Sequence, residues 1–141
     1  MSTPVRRALY GKMSGDTTLT NLLGAPASGY AKAIYHSEAP AGAPYPYVIF
    51  NKQSGVPTES FGDPDALEND VWLVKGIDKN TSADIAESIQ ARLKALLNDT
   101  TLTISGATHL YLRRQSDVEY PETVNGVKYA HAGALYRLVY T

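Results

Sequence analysis

The sequence predicts an α+β fold: a mostly antiparallel sheet, an N-terminal helix and one long central helix packed on it, and a long β-hairpin at the C-terminus. Three observations predict it. Apolar residues recur at helical spacing at the start of the chain and again between residues 81 and 98. The last third alternates apolar and polar residues, as half-buried strands do. It also contains Asn125-Gly126, a strong hairpin signal.

Length and composition restrict the classes of protein. The 141 residues, 43% hydrophobic and 19% charged, predict a single domain spanning residues 1–141. Thirteen basic and fourteen acidic residues leave a net charge of −1, so no specific nucleic-acid binding is expected. The chain has no cysteine, which excludes disulfides and thiolate metal sites. We expect neither a signal peptide nor a membrane partner, because no apolar segment follows the two N-terminal arginines and no apolar run reaches membrane-spanning length.

The first elements are two short helices. Thr3 followed by Pro4 is typical of a helix start, since proline fits the first helical position. Apolar residues then follow at helical spacing: Val5, Ala8, Leu9 and Met13. Asp16 is expected to cap a second, shorter helical segment that ends at Gly24.

The next segment predicts strands separated by a long loop. Residues 31–35 are consistent with a short strand, and Pro44 and Pro46 hold the chain extended as it enters a strand at residues 47–52. Residues 71–75, VWLVK, predict a strand covered on both faces. Residues 53–70 between these strands are rich in Gly, Pro, Ser and acidic residues. They predict a long loop that is mobile in the free subunit and becomes ordered against a partner.

The central helix is predicted from Thr81, whose hydroxyl is expected to cap it with Asp84 three positions later, to Asn98. Its apolar face comprises Ile85, Ile89, Leu93, Leu96 and Leu97. Short strands are expected at residues 102–104 and 109–113. A hairpin around Asn125-Gly126 then leads into a long strand at residues 128–140, with Gly133 as a bulge.

Catalytic motifs are missing from the sequence. It contains no GxSxG elbow, no phosphate-binding GxxxxGK[ST] loop and no GxGxxG fingerprint. His36, His109 and His131 do not stand at metal-ligand spacing. We therefore predict no catalytic, cofactor-binding or metal-binding residues, no cofactor and no enzymatic activity. A small ligand-binding domain or enzyme that uses His109 and His131 from adjacent strands remains the least favoured alternative.

The candidate assembly-interface residues lie in the predicted loop: Val56, Phe61, Leu67, Asp63 and Asp65. The apolar members have little reason to lie in a purely solvated loop, and Phe61 is the best anchor for a partner. The alternative is that Phe61 folds back onto its own sheet. The acidic members resemble a loose calcium cluster, but Pro64 interrupts it and the EF-hand offsets are not met, which favours solvated charge.

Tyrosine is unusually frequent, with ten tyrosines against two phenylalanines. Tyrosine suits subunit contacts, which are half buried and half wet. It also suits amphipathic strands in general. The sequence leaves both explanations open.

The order of motifs resembles a known family. D-x-x-L-x-x-L-L-G at residues 16–24 is followed by PYPYVIF, VWLV, ADIAESIQARLKALLND, LTISG and a closing hairpin. The whole chain resembles the tail-completion and tail-terminator proteins of long-tailed (siphovirus-type) bacteriophages and prophages. Residues 43–50 and 83–106 carry most of the resemblance. The chain departs from the family in the longer final hairpin, YPETVNGVKYAHAG.

The resemblance implies a structural role in virion assembly. Such proteins form a ring, usually a hexamer, at the head-proximal end of the tail tube, where they stop tube polymerisation and join the tail to the head. The implied partners are other copies of the chain, the major tail tube protein and a head connector or stopper protein. The implied location is the virion tail, after assembly in the host cytoplasm. Another connector component, a stopper or adaptor subunit, is the alternative.

Overall fold

The computed structural model describes residues 2–141, except for the side chains of residues 2, 58–60 and 63–66. Its elements, in chain order, are α1 (Ser2–Ser14), α2 (Thr17–Thr20), β1 (Ile34–His36), β2 (Tyr47–Ser60), β3 (Asp63–Asp78), α3 (Asp84–Leu97), β4 (His109–Val124) and β5 (Val127–Tyr140). The strands form one sheet in the order β1-β2-β3-β5-β4. Only the β1–β2 pair is parallel. The predicted α+β class is confirmed.

The main core lies between the helices and one face of the sheet. Alternate residues of β3 and β5 point into it, including Trp72, Val74, Tyr136 and Leu138. The helices contribute a stripe at 3.6-residue spacing: Val5, Leu9 and Met13 from α1, and Ile89, Leu93 and Leu97 from α3, each with no exposed surface. No helix in residues 2–141 has the length and apolar character needed to cross a membrane.

The two predicted helix caps have different outcomes. Asp16 caps α2 as predicted and accepts a hydrogen bond of 2.9 Å from the Leu19 amide. Its carboxylate also pairs with the Arg92 guanidinium at 2.7 and 2.8 Å, which ties α2 to α3. The cap predicted at Thr81 is wrong, because α3 begins at Asp84, whose amide donates to the Ser82 hydroxyl at 3.2 Å.

The predicted apolar face of the central helix is correct except at its first residue. Ile85 is 40% exposed, and Ala86 takes its place in the buried stripe. The buried stripe therefore runs from Ala86 through Ile89, Leu93 and Leu97, at spacings of three and four residues.

The long loop predicted at residues 53–70 is wrong. β2 and β3 continue through it and pair with each other from Tyr47–Ile77 out to Ser60–Asp63. The two-residue turn contains Gly62 at φ +82°, a conformation that favours glycine. β1 pairs with β2 only as far as Phe50, so β2 is an edge strand at Pro57. Proline is tolerated there because an edge strand does not need a backbone N–H on its open side. Pairing between the two halves therefore overrides a loop-like composition.

In the C-terminal half, two predicted features are wrong and one predicted turn is confirmed. Residues 102–104 are not a strand, although Leu102 and Ile104 are buried. The register shifts lie in β4, opposite β5, and not at Gly133. The turn at Asn125-Gly126 is confirmed, with both residues at positive φ.

Two hairpins project from opposite ends of the sheet. β3 pairs with β5 from Glu68 to Asp78, so residues 58–67 of the first hairpin pair only with each other. The hairpin segment 53–70 carries five acidic residues and no basic residue, and is called the acidic arm below. The second hairpin turns at residues 125–126, beyond the other end of β3.

Candidate assembly surfaces

The acidic arm presents apolar side chains to solvent. Phe61, at the turn, is fully exposed (108%), and Val56 is 62% exposed, while Leu67 is half-buried. Phe61 therefore does not fold back onto its own sheet. Asp63 and Asp65 begin β3, and their side chains lie outside the described part of the structure. The arm thus places Val56 and Phe61 on a projecting hairpin, but not in one contiguous cluster.

A buried carboxylate fixes the base of the acidic arm. Asp70 has no exposed surface, and its Oδ2 accepts hydrogen bonds from the Trp72 indole at 3.3 Å and the Tyr140 hydroxyl at 3.2 Å. The Lys52 ammonium lies 3.4 Å from its Oδ1. A Cβ added at Gly55 would come within 2.6 Å of the Lys52 side chain, so glycine makes room for this pair. Asp70 is therefore part of the fold, which corrects its predicted place in a solvated acidic run.

Tyrosines pack in a chain on the sheet face opposite the main core. Successive rings of Tyr30, Tyr35, Tyr47, Tyr45 and Tyr129 lie with centroids 4.8–5.5 Å apart. Both tyrosines of the PYPY motif belong to this chain. Burial is the main reason that the pKa of Tyr47 is raised above its usual value. The contacts lie within one subunit, so packing inside the subunit accounts for much of the tyrosine excess.

His131 sits in a polar cluster on the same sheet face. Its Nε2 lies 2.9 Å from a Glu122 carboxylate oxygen, and its ring stacks on Tyr120 with centroids 4.4 Å apart. The Lys75 ammonium donates to the Tyr120 hydroxyl at 2.5 Å. Burial lowers the pKa of His131, against the smaller opposite effect of the bond to Glu122.

The alternative site built from His109 and His131 is wrong. His109 pairs with Tyr140, whereas His131 lies nine residues earlier on the same strand, about 30 Å away at 3.3 Å per residue. Among the described residues, no three His, Asp or Glu side chains form a group that could hold a metal ion. The expectation that the protein binds no metal stays a prediction.

Stability is expected to fall as the pH drops from 7.5 to 5.5. The pKa values of His36, His109 and His131 lie below the usual 6.5 in the folded chain, mainly because of burial. Below pH 6.5 the unfolded chain therefore binds more protons, and the free energy of unfolding decreases. Melting temperatures across this range measure the effect, and His131→Gln is expected to reduce the decrease. An unchanged pH dependence in that variant would contradict the assigned shift of His131.

A second charged surface lies on α1. Arg6, Arg7 and Lys12, called the basic ridge below, belong to a helix with no acidic residue. One groove beside it, of about 240 Å³, contains Arg6, His36 and Lys52. A second groove, of about 380 Å³, contains Arg7 and Lys12. The net charge of the whole chain hides this local excess, although the segment VRRALYGK shows it.

The ridge makes no ion pair with the part of the chain that the structure describes. Arg6 acts electrostatically on His36 and adds to the lowering of its pKa, after the larger effect of burial. Arg7 is exposed, whereas Arg6 and Lys12 are half-buried, and Lys12 contributes to the lowered pKa of Asp16, after the larger effect of Arg92. The ridge is therefore a partly exposed cationic surface beside two grooves.

Comparison with known proteins shows a likeness in structure only. No family model and no curated protein matches the sequence. A solved chain from the "Virion of native gene transfer agent (GTA) particle" matches with a TM-score of 0.65 and 14% sequence identity. The match covers 96% of this chain and 93% of the solved chain. This α+β fold therefore occurs, over nearly its whole length, in a chain of a virion particle.

Proposed function

We propose that the protein is a structural component of a phage-like virion. Within the virion it acts as a tail terminator, a ring of six subunits at the head-proximal end of the tail tube that stops tube polymerisation and joins the tail to the head. The observation that carries the proposal is the shared fold with a chain of a gene transfer agent virion across 96% of this chain. The resemblance of residues 43–50 and 83–106 to tail-terminator proteins supports the specific role.

The surfaces suit a protein that acts by binding rather than by chemistry. Asp70 is buried and accepts a hydrogen bond from Tyr140. His131 lies within hydrogen-bond distance of Glu122 and stacks on Tyr120. The exposed features are hairpins that project from opposite ends of the sheet, one of them tipped with Phe61. Projecting hairpins offer separate contacts to copies of the chain, to the tail tube protein and to a head connector or stopper protein. The proposal includes no enzymatic activity, cofactor or membrane partner.

Images of tail tubes incubated with the purified protein test the proposal directly. We expect a closed ring of six subunits at one end of each tube, and native mass spectrometry of the released ring gives its subunit number. Tubes assembled without the protein are expected to exceed the normal length. Monomers both in solution and on tubes would contradict the proposal. Binding to the head connector alone, without capping of tubes, would favour the stopper or adaptor role.

Replacing Phe61 with alanine is expected to weaken assembly about tenfold or more, because a lone aromatic anchor often carries much of a contact's binding energy. The melting temperature of the subunit should hardly change, since the ring of Phe61 is fully exposed. Ile85→Ala is the matched control: Ile85 is 40% exposed at the start of α3, outside both hairpins. Assembly of Phe61→Ala at the wild-type concentration would exclude Phe61 from the contact.

A further inference from the structure

The charges of the chain are separated between two surfaces. The acidic arm has five acidic and no basic residues, whereas α1 has three basic and no acidic residues. Asp70 is paired with Lys52 at the base of the arm. The other acidic residues of the arm, in sequence, are Glu59, Asp63, Asp65 and Glu68. The net charge of −1 hides this separation.

The arm of a subunit projects away from its own basic ridge. Arg6 lines a groove with Asn51 and Lys52, at the base of the arm. The tip at Phe61 comes nine residues after Lys52, just past the end of β2, which is a span of up to about 30 Å at 3.3 Å per residue. Pairing of residues 58–67 with each other keeps the hairpin extended, so the acidic tip does not turn back to this ridge.

The ridge is open to a partner. Grooves of about 240 and 380 Å³ lie beside it. Within the described residues, none of its three cations makes an ion pair. Cationic side chains in such a position attract an acidic segment and orient its approach.

A second copy of the same chain supplies that acidic segment. A contact between two different surfaces of identical subunits continues head to tail, and it closes into a ring when the rotation between subunits allows. Val56 and Phe61, both exposed on the same arm, add two separate apolar contacts to the ionic one.

We propose that neighbouring subunits contact each other head to tail, with the acidic arm of one subunit lying against the basic ridge of the next. This contact rests on the proposed ring and specifies which surfaces form it. The ionic part of the contact makes assembly sensitive to salt, since screening shortens the range of exposed charges to about 8 Å at physiological ionic strength.

Charge reversal on either surface, followed by mixing of the two variants, tests the contact. Arg6→Glu with Arg7→Glu, or Asp63→Lys with Asp65→Lys, is expected to weaken self-association at least tenfold, and mixing the two variants should restore pairing between them. Self-association is measured by sedimentation in solution and by ring counts on tail tubes, at low and high salt. Lys32→Glu with Lys79→Glu is the control, because it changes the net charge as much as the ridge variant but lies outside the acidic arm, the basic ridge and the second hairpin. Melting temperatures show whether each variant is folded. If the charge-reversed ridge variant is unfolded, the milder Arg6→Gln with Arg7→Gln is used in its place.

The outcomes separate this contact from the proposed function. If the ridge variant and the arm variant each still form rings as the wild type does, the contact is overturned and the tail-terminator role stays intact. Wild-type protein that never self-associates, in solution or on tubes, would overturn both. Loss of binding to a DNA duplex in the ridge variant, with unchanged self-association, would show that the ridge serves a polyanion and would also overturn the contact.

Discussion

Replacing Ile89 with alanine is expected to lower the free energy of unfolding by about 2–5 kcal/mol. Ile89 has no exposed surface and packs where α3 crosses β3. The approach is so close that a Cβ added at Gly76 would lie 2.6 Å from the Ile89 Cγ2 atom. Removing this side chain leaves a cavity between helix and sheet that neither element can fill without moving. The midpoint of denaturant unfolding measures the loss.

The matched control is Ile85→Ala, the same substitution one helical turn earlier. Ile85 is 40% exposed, so its replacement is expected to change stability by only about 0.5 kcal/mol. The sequence alone placed both residues on one apolar face, whereas the structure separates them. Equal losses in the two variants, or an unchanged midpoint for Ile89→Ala, would contradict the observed orientation of α3.

Elements with strong local signals could be predicted from the sequence. The core stripe of α3 follows from apolar spacing, the cap at Asp16 from its position before a short apolar segment, and the second hairpin from Asn125-Gly126. Each signal lies within a few residues, and the local backbone preference agrees with the tertiary fold.

The acidic arm could not be predicted in the same way. Its glycines, prolines and acidic residues are typical of loops, and only pairing across the hairpin makes residues 53–70 strands. The burial of Asp70 likewise depends on Lys52, Trp72 and Tyr140, which converge from three different strands. Such convergence leaves no pattern within a short window of sequence.

The candidate assembly surfaces could be predicted only in part. The sequence indicates Phe61 as a contact residue because it is an apolar residue in a polar segment. Its full exposure at the tip of a hairpin is consistent with a contact to a partner. The basic ridge was visible as a local excess of charge, but its relation to the acidic arm was not. That relation depends on the arm projecting from the end of the sheet, which follows from the register of β3 and β5.

Replacing Gly133 with alanine is expected to lower the free energy of unfolding by about 1–3 kcal/mol or more, because the added methyl group has no space. A Cβ at this position would lie 2.2 Å from the carbonyl oxygen of Val74 and 2.4 Å from the Cα atom of Lys75. These are backbone atoms of the neighbouring strand, so β3 and β5 would have to separate locally. Separation would also strain the hydrogen bond of 2.8 Å that Gln90 donates to the Gly133 carbonyl.

The same substitution at Gly11 is the control, and its expected effect has the opposite sign. A Cβ at Gly11 meets nothing within 4 Å, and alanine in a helix interior is favoured over glycine by roughly 0.5–1 kcal/mol. Gly133→Ala should therefore unfold at lower denaturant than the wild type, and Gly11→Ala at higher denaturant. The opposite signs separate a close contact between strands from the general effect of replacing glycine by alanine. Wild-type stability in Gly133→Ala would show that β3 and β5 move apart at little cost.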